Sequence, residues 1–419
     1  MLYSWVDTYY VSRLGSAAIA AIGISEQLIF FVFTIGAGFA IGSGVVVARR
    51  VGEGKQKEAD NTGTQSIILM FFFSVILAAG LYFSVDFILS LMNITGPERL
   101  LAIEYLRAVF VGIPGYFIIF QINAIVRSSG NSIYPMIILI IATVLNAVIS
   151  PLLVFGIGPF PELGIAGAGI ATAIAQTSGA AIALITLKKD YTPFTLITKG
   201  LKFEPLVIWR IIKIGTPATL QFLTVSLNRM ALFAIANMFG TTVVAAYTLG
   251  LKVDLFVFMS VFATGATVEI TTGQNLGANN IGRVFAYYKS GIRQLSILMA
   301  GLGILVYFFG ADFTKIFTAN EEILNKTEVY FRFMAFSYLP FSIGILSTRL
   351  INGAGDTMRS LVIVSVLLLV FQLPAVYMLS SWTSLGDNGI WLGILLSQFL
   401  FALIGFIEAR REKWRKVTV

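Results

Sequence analysis

The chain has 419 residues, 57% of them hydrophobic and only 12% charged, with a net charge of +8. A soluble protein carries about twice that charged fraction. Cysteine and histidine are both absent, which excludes thiolate chemistry, disulfides, histidine-ligated metals and imidazole relays and leaves carboxylates, hydroxyls, amides and carbonyls for any proton or cation.

Apolar runs recur along the whole chain, each long enough for ~20 helical residues across ~30 Å of hydrocarbon. Backbone groups inside lipid must be satisfied within a helix or a closed barrel. Runs such as 137–154 and 361–377 are continuously apolar, without the alternation of a barrel strand. The expected fold class is therefore an all-α polytopic membrane protein. In such a protein the basic excess reflects membrane topology rather than nucleic-acid binding.

Apolar runs read against their punctuation give twelve segments, at about 1–13, 18–48, 63–85, 104–126, 134–155, 165–187, 208–238, 243–272, 291–310, 329–350, 358–380 and 388–409. They predict an N-terminal six-helix bundle over 1–187, a cytoplasmic linker over 188–207 and a C-terminal six-helix bundle over 208–419. The loops after even-numbered segments, together with the C-terminus, hold 21 of the 29 Lys and Arg residues, and the opposite loops hold six. That asymmetry places the even loops and the C-terminus in the cytoplasm of a plasma (inner) membrane protein.

Segment 1 carries one carboxylate, Asp7, in the aromatic stretch Tyr3-Ser4-Trp5-Val6-Asp7-Thr8-Tyr9-Tyr10-Val11. An acid there costs free energy unless it faces a cavity or a partner, so it is a functional candidate; the plain alternative is a cap near the membrane surface. Segment 1 runs outward to Gly15, which sets Asp7 about two turns below the outer surface. On segment 5, Asn146 and Ser150 share one face at i, i+4, and Thr172 lies about two turns into segment 6. These four polar groups converge on one depth. Singly, the amide and the hydroxyls read as interhelical glue; with a carboxylate at the same level they read as a proton or cation site. Pro151, right after Ser150, is a candidate hinge for segment 5, with a static kink as the alternative.

Four further charges fall inside spans at similar depth: Glu26 in segment 2, Arg229 in segment 7, and Lys252 and Asp254 in segment 8. Structural ion pairs are the favoured reading for them, since buried charges usually pair. The aromatic residues Tyr3, Trp5, Tyr9 and Phe30 are expected to wall a cavity for a cationic guest, although each taken alone also reads as lipid-facing.

The two halves repeat. Leu14-Gly15-Ser16 matches Phe239-Gly240-Thr241, Val51-Gly52-Glu53-Gly54 matches Leu276-Gly277-Ala278-Asn279, and Ser129-Gly130-Asn131-Ser132 matches Ala354-Gly355-Asp356-Thr357, all 225 residues apart. Leu163-Gly164 and Gln176 match Leu385-Gly386 and Gln398 at a spacing of 222. Two pseudo-symmetric bundles of parallel topology follow. The same spacing puts the counterpart of the start of segment 7 before Met1, so helix 1 reads as half a span whose cytoplasmic half is missing. Asp7 has no acidic mate, because the residue 225 positions on is Leu232.

Tyr3-Ser4-Trp5-Val6-Asp7 through Arg13-Leu14-Gly15, Ala48-Arg49-Arg50-Val51-Gly52, Arg127-Ser128-Ser129-Gly130-Asn131, Leu145-Asn146 through Ser150-Pro151, Gly215-Thr216-Pro217 and Gly273-Gln274-Asn275-Leu276-Gly277-Ala278 resemble, in order and across essentially the whole chain, the multidrug and toxic compound extrusion (MATE) family. The chain resembles its DinF-like subgroup, because Val225 stands where the other branch carries an acid. The resemblance implies the MATE fold and an antiporter, not an enzyme, that expels organic, often cationic, compounds against inward H⁺ or Na⁺ by alternating access. It implies that Asp7 is the coupling residue, with Asn146 and Thr172 as partners. Ser150 departs from the pattern, standing where a second aspartate is usual. A hard cation wants more oxygens and more negative charge, so Na⁺ held by Asp7, Asn146 and Thr172 is the lesser expectation and H⁺ the favoured one.

No cofactor beyond the coupling ion is expected. The expected partners are small organic molecules and the lipid bilayer, with no nucleic acid, for a chain acting as a monomer. The rival reading is a lipid or lipid-linked oligosaccharide flippase, which needs a wide cationic groove to which only Arg229 and Lys252 could contribute. An intramembrane enzyme is disfavoured by the missing His and Cys and by the lack of paired catalytic carboxylates.

Overall fold

The computed structural model describes residues 2–187 and 191–417, with side chains described from Val6 onward except at Lys416. Within them, α1 (Leu2–Val11) runs into a 3₁₀ turn, followed by α2 (Ser16–Gly52), α3 (Gln56–Leu91), α4 (Pro97–Ser128), α5 (Ile133–Phe155) and α6 (Gly164–Leu187). Then come α7 (Pro205–Asn237), α8 (Thr241–Gly277), α9 (Ile281–Thr314), α10 (Glu321–Gly353), α11 (Thr357–Ser381) and α12 (Asn388–Arg410). Eleven of these, α2 to α12, are long and apolar enough to cross a membrane; α1 has 10 residues.

Several helices extend past the predicted segments. Apolar runs report only the part of a helix suited to hydrocarbon, whereas backbone hydrogen bonding continues through polar turns. Thus α3 starts at Gln56 and takes in Asp60, Asn61, Thr62 and Thr64, while α4 starts seven residues before its apolar run, at Pro97. Proline suits the first helical position because its missing N–H would be unpaired there anyway. At the start of α10 the Asn320 side chain accepts from the N–H groups of Glu322 and Ile323, a polar cap that hydropathy does not register. In α11 the stretch Val366–Gln372 is wound as a π-helix, a local widening often found where a side chain is re-aimed.

The chain forms two compact units, Met1–Val51 with Lys55–Lys213, and Gly52–Gly54 with Ile214–Val419. In the first unit α4 and α6 approach closely through small residues: a Cβ on Gly112, Gly115 or Gly169 would lie within 2.8 Å of the facing helix. Small residues permit such contact between lipid-embedded helices, where dispersion rather than the hydrophobic effect drives packing. Around that seam, Leu106, Phe110, Phe117, Val154 and Ala168 form one buried cluster. A second holds Ile122, Ile125, Ala183, Leu187 and Phe194.

Of the stretch expected as a linker, 188–190 lie outside the described residues and 193–204 are held along α3. Asn61 exchanges hydrogen bonds with the Lys202 backbone, Asp60 accepts from the Thr195 N–H, Thr64 from Ile197, and Gln65 from Glu204. Phe194 is fully buried over Gly63. The polar start of α3 is therefore a docking strip for residues 193–204, which accounts for its lack of hydrophobicity.

In the second unit the core is built on Trp391, Tyr330, Phe331, Tyr338 and Leu350. The repeat is visible in the backbone. Gly15 and Gly240 have φ of +112° and +103°, and Gly130 and Gly355 have +101° and +94°, conformations that side chains other than glycine seldom adopt. The outward faces of both units carry large apolar side chains, among them Phe72, Ile76, Phe83, Ile304 and Phe308, as a lipid-facing surface requires.

Candidate functional site

Asp7 and Val11 lie one turn apart on the inner face of α1 and are 1% and 0% exposed, whereas Tyr9 on the other side is 59% exposed. Helix α5 buries Ile138, Ala142, Asn146, Ser150 and Val154 and exposes Ile140, Val144 and Val148. This i, i+4 stripe fixes which face meets α1. Helix α6 brings Thr172 to the same place from a small-residue face of Gly167, Ala168, Gly169 and Ala171.

The four residues meet. The Thr172 hydroxyl donates to Asp7 Oδ2 at 2.8 Å, Ser150 Oγ donates to Oδ1 at 3.3 Å and Asn146 Nδ2 to Oδ1 at 3.4 Å. Asn146 Nδ2 also donates to Thr172 Oγ1 at 2.9 Å. A fifth residue completes the shell: Tyr105 on α4 donates its hydroxyl to Asp7 Oδ2 at 3.1 Å. Glu26 on α2, half-buried, acts electrostatically on Tyr105.

All four groups bonded to Asp7 are neutral, and all are buried. Holding a charge under such cover is costly without a cation, and charge-assisted hydrogen bonds from neutral donors offset part of that cost. The carbonyl oxygen of Asn146 is buried without a partner, so the cluster holds one unused acceptor beside the acid. Among the described residues no group of three or more Asp and Glu side chains could hold a metal ion. The available oxygens are one carboxylate, hydroxyls and this amide. Pro151, inside α5 next to Ser150, has no N–H for the preceding turn, which leaves the helix free to bend at the site.

Of the residues expected to wall a cavity, Tyr9 and Phe30 are exposed and stand apart from the Asp7 cluster. Tyr9 is turned outward, with its hydroxyl accepting from Arg13, and Phe30 is 46% exposed; neither belongs to the buried cluster, since each projects from the opposite face of its helix. The side chains of Tyr3 and Trp5 lie outside the described residues. The first unit has a small cavity of about 110 Å³ between Phe39, Ser43, Met70, Phe73 and Gln121, and neither Tyr9 nor Phe30 lines it.

In the second unit, Asp254, Arg229 and Lys252 are partnered otherwise than by the expected ion pairs. Asp254 is buried, but its carboxylate is bonded by the hydroxyls of Tyr330 and Tyr338 instead of by a cation. Arg229 and Lys252 are exposed and lie over the rings of Phe233 and Phe317, at 5.9 and 5.0 Å. Both cations sit at the surface because their long stems let the charge avoid the apolar interior. Among the described residues of this unit, Arg349 and Glu269 form an ion pair that is largely removed from solvent, at 2.8 Å.

The MatE family pattern matches residues 1–152 and 217–378, three quarters of the chain. The chain belongs to the MatE family. MatE proteins are membrane transporters, not enzymes, and the multi-pass helical architecture agrees. The chain is 27% identical over 386 residues to the probable multidrug resistance protein YoeA of Bacillus subtilis, covering 91% of this chain and 83% of that one. It is 26% identical over 418 residues to a FAD transporter of Shewanella oneidensis, covering 98% and 90%. A crystal structure of MATE in the bent conformation superposes with a TM-score of 0.92 at 23% identity, covering 98% of this chain and 91% of that one. That likeness establishes the MATE fold.

Proposed function

We propose that this MatE chain is a cation-coupled antiporter that exports organic compounds, with Asp7 as the coupling carboxylate and H⁺ as the coupling ion. One observation carries the reading: a 1% exposed carboxylate bonded by four neutral donors from α4, α5 and α6. Such a group changes its surroundings when its charge changes. A proton on Asp7 removes its need for donors and frees Ser150, Thr172 and Tyr105 to take other partners. Three helices therefore respond to one proton. Coupling needs the guest to bind the two protonation states differently, since a ligand with equal affinity for both states moves nothing.

Proton coupling is favoured over sodium by the donor set. The hydroxyls point their hydrogens at the acid, and a hard cation in their place needs several oxygens and more negative charge. The family membership supports a small-molecule cargo, and the related multidrug and FAD transporters widen the class to organic compounds of either charge. The DinF-like subgroup, a plasma (inner) membrane location with the C-terminus cytoplasmic, and action as a monomer belong to the same reading. The flippase alternative is disfavoured because Arg229 and Lys252 are separate exposed cations rather than a groove.

Proteoliposomes test the choice. Substrate-driven proton movement, insensitive to a sodium gradient, supports the proposal. Lipid scrambling without proton movement supports the flippase, and sodium-driven export overturns the assignment of the ion.

A further inference from the structure

The second unit holds a buried acid that the Asp7 reading does not use. Asp254, midway along α8, is 2% exposed. Its Oδ1 accepts from the Tyr338 hydroxyl at 2.6 Å, and its Oδ2 accepts from Tyr330. The two tyrosines stand two turns apart on one face of α10. Gly250, one turn before Asp254, makes the contact possible: a Cβ there would clash with the Tyr330 ring.

The remaining walls are aromatic. Tyr247 of α8 and Trp391 of α12 pack on Tyr330 with ring centroids 6.0 and 4.9 Å away. Trp391 is 0% exposed and its indole N–H has no partner, an unused donor in the same enclosure. The charged and titratable groups around the acid are few. Tyr330 and Tyr338 come from α10, Tyr247 from α8, and Arg229 on α7 reaches it only through Tyr247. Lys252 is turned to Phe317, and among the described residues no ionisable group of α9 or α12 contacts Asp254.

A parallel between the two units gives this cluster its meaning. Tyr330 lies 225 residues after Tyr105, the spacing of the internal repeat. In each unit the tyrosine at this one position of the fourth helix donates to a buried acid, although the acid comes from α1 in the first unit and from α8 in the second. The acid has moved while its tyrosine has stayed.

We propose that Asp254, with Tyr330 and Tyr338, forms a second proton-binding site within the C-terminal unit. A metal cation is poorly served there, since the acid's two contacts are hydroxyl hydrogens and the other walls are aromatic. A proton needs no further ligands. When one arrives from water, an O–H bond forms on a carboxylate oxygen and the adjacent hydrogen bond turns round. The acid then donates to a phenol oxygen, and that phenol's hydrogen seeks a new acceptor. Protonation therefore rewrites the contact between α8 and α10. Pro340, two residues beyond Tyr338 in the buried face of α10, lies where that helix lacks a backbone bond.

The site stands apart from the Asp7 reading, and the test is done without that acid. Full-length Asp7→Asn protein in liposomes is compared with Asp7→Asn/Asp254→Asn by infrared difference spectroscopy during a pH change. The proposal expects a protonated-carboxyl band in Asp7→Asn that disappears in the double variant. A pH-difference spectrum that is the same in both variants overturns it. Should the double variant fail to fold, Asp7→Asn/Tyr338→Phe keeps the ring and removes one donor. The band's midpoint then shifts by about one pH unit, the worth of one hydrogen bond to a charged group, and an unmoved midpoint overturns the proposal.

Discussion

Gly169→Ala tests how the helix seam of the first unit supports the acid. Gly169 faces α4, and a methyl added there would lie 2.7 Å from Ala108 Cβ and 2.8 Å from the Tyr105 carbonyl oxygen. Real contacts of this kind sit near 3.5–4.0 Å, so α4 and α6 must separate locally by roughly an ångström. The neighbour is backbone and cannot swing aside. Overpacking of this sort costs about 1–3 kcal/mol. The separation also reaches the site, because Tyr105 belongs to the displaced turn and its bond to Asp7 is already 3.1 Å long. Another ångström ends it as a hydrogen bond. The expected outcome is a melting temperature in detergent lower by about 1–3 °C together with impaired proton-coupled transport. Gly23→Ala and Gly80→Ala are the controls, since a Cβ at either position meets nothing within 4 Å; they stay neutral or gain up to about 1 kcal/mol from helix propensity. Equal melting temperatures for Gly169→Ala and the two controls would refute the close-packed seam.

Phe194→Ala removes the fully buried anchor of the connector over Gly63; it costs about 3–5 kcal/mol and opens residues 191–204 to limited proteolysis, and an unchanged cleavage pattern contradicts the docked strip. Arg349→Met leaves Glu269 charged and only 10% exposed, at a cost of about 3–5 kcal/mol. Adding Glu269→Leu recovers most of that in thermal melts, and a double variant no better than the single one argues against the pair. Tyr9→Ala and Phe30→Ala alter exposed side chains and change stability by less than about 0.5 kcal/mol. Any loss of export they cause in liposomes thus reports contact with the guest, whereas a loss matched by melting reports misfolding.

The meeting of Asp7 with Asn146, Ser150 and Thr172 was legible in the sequence because a charge asymmetry and a helical periodicity cooperate. The Lys and Arg asymmetry gave each segment a direction, and direction turned residue number into depth. Asn146 and Ser150 then fell on one face by their i, i+4 spacing. Tyr105 was not legible, for a specific reason. With α4 taken to start at 104, Tyr105 sits at the membrane edge, whereas the true start at Pro97 carries it two turns inward to the level of Asp7. The pair Gly96-Pro97 was the available signal. Asp254 shows another limit. Hydropathy marks a buried charge and suggests an opposite charge as its partner, yet here tyrosine hydroxyls take that place and look like ordinary apolar bulk in sequence. The π-helical stretch of α11 is written in Val, Leu and Phe and leaves no trace in an apolar run.

The most direct measurement is of Asp7→Asn in the full-length protein, reconstituted so that substrate export and proton flux are followed together. The substitution keeps the size and one acceptor oxygen, turns the other oxygen into an amide donor, and removes the titratable charge where α1, α4, α5 and α6 meet. Proton movement driven by substrate falls to the level of empty liposomes while the protein stays folded, if Asp7 is the coupling group. Export and proton flux both continuing at the original rates contradict that assignment.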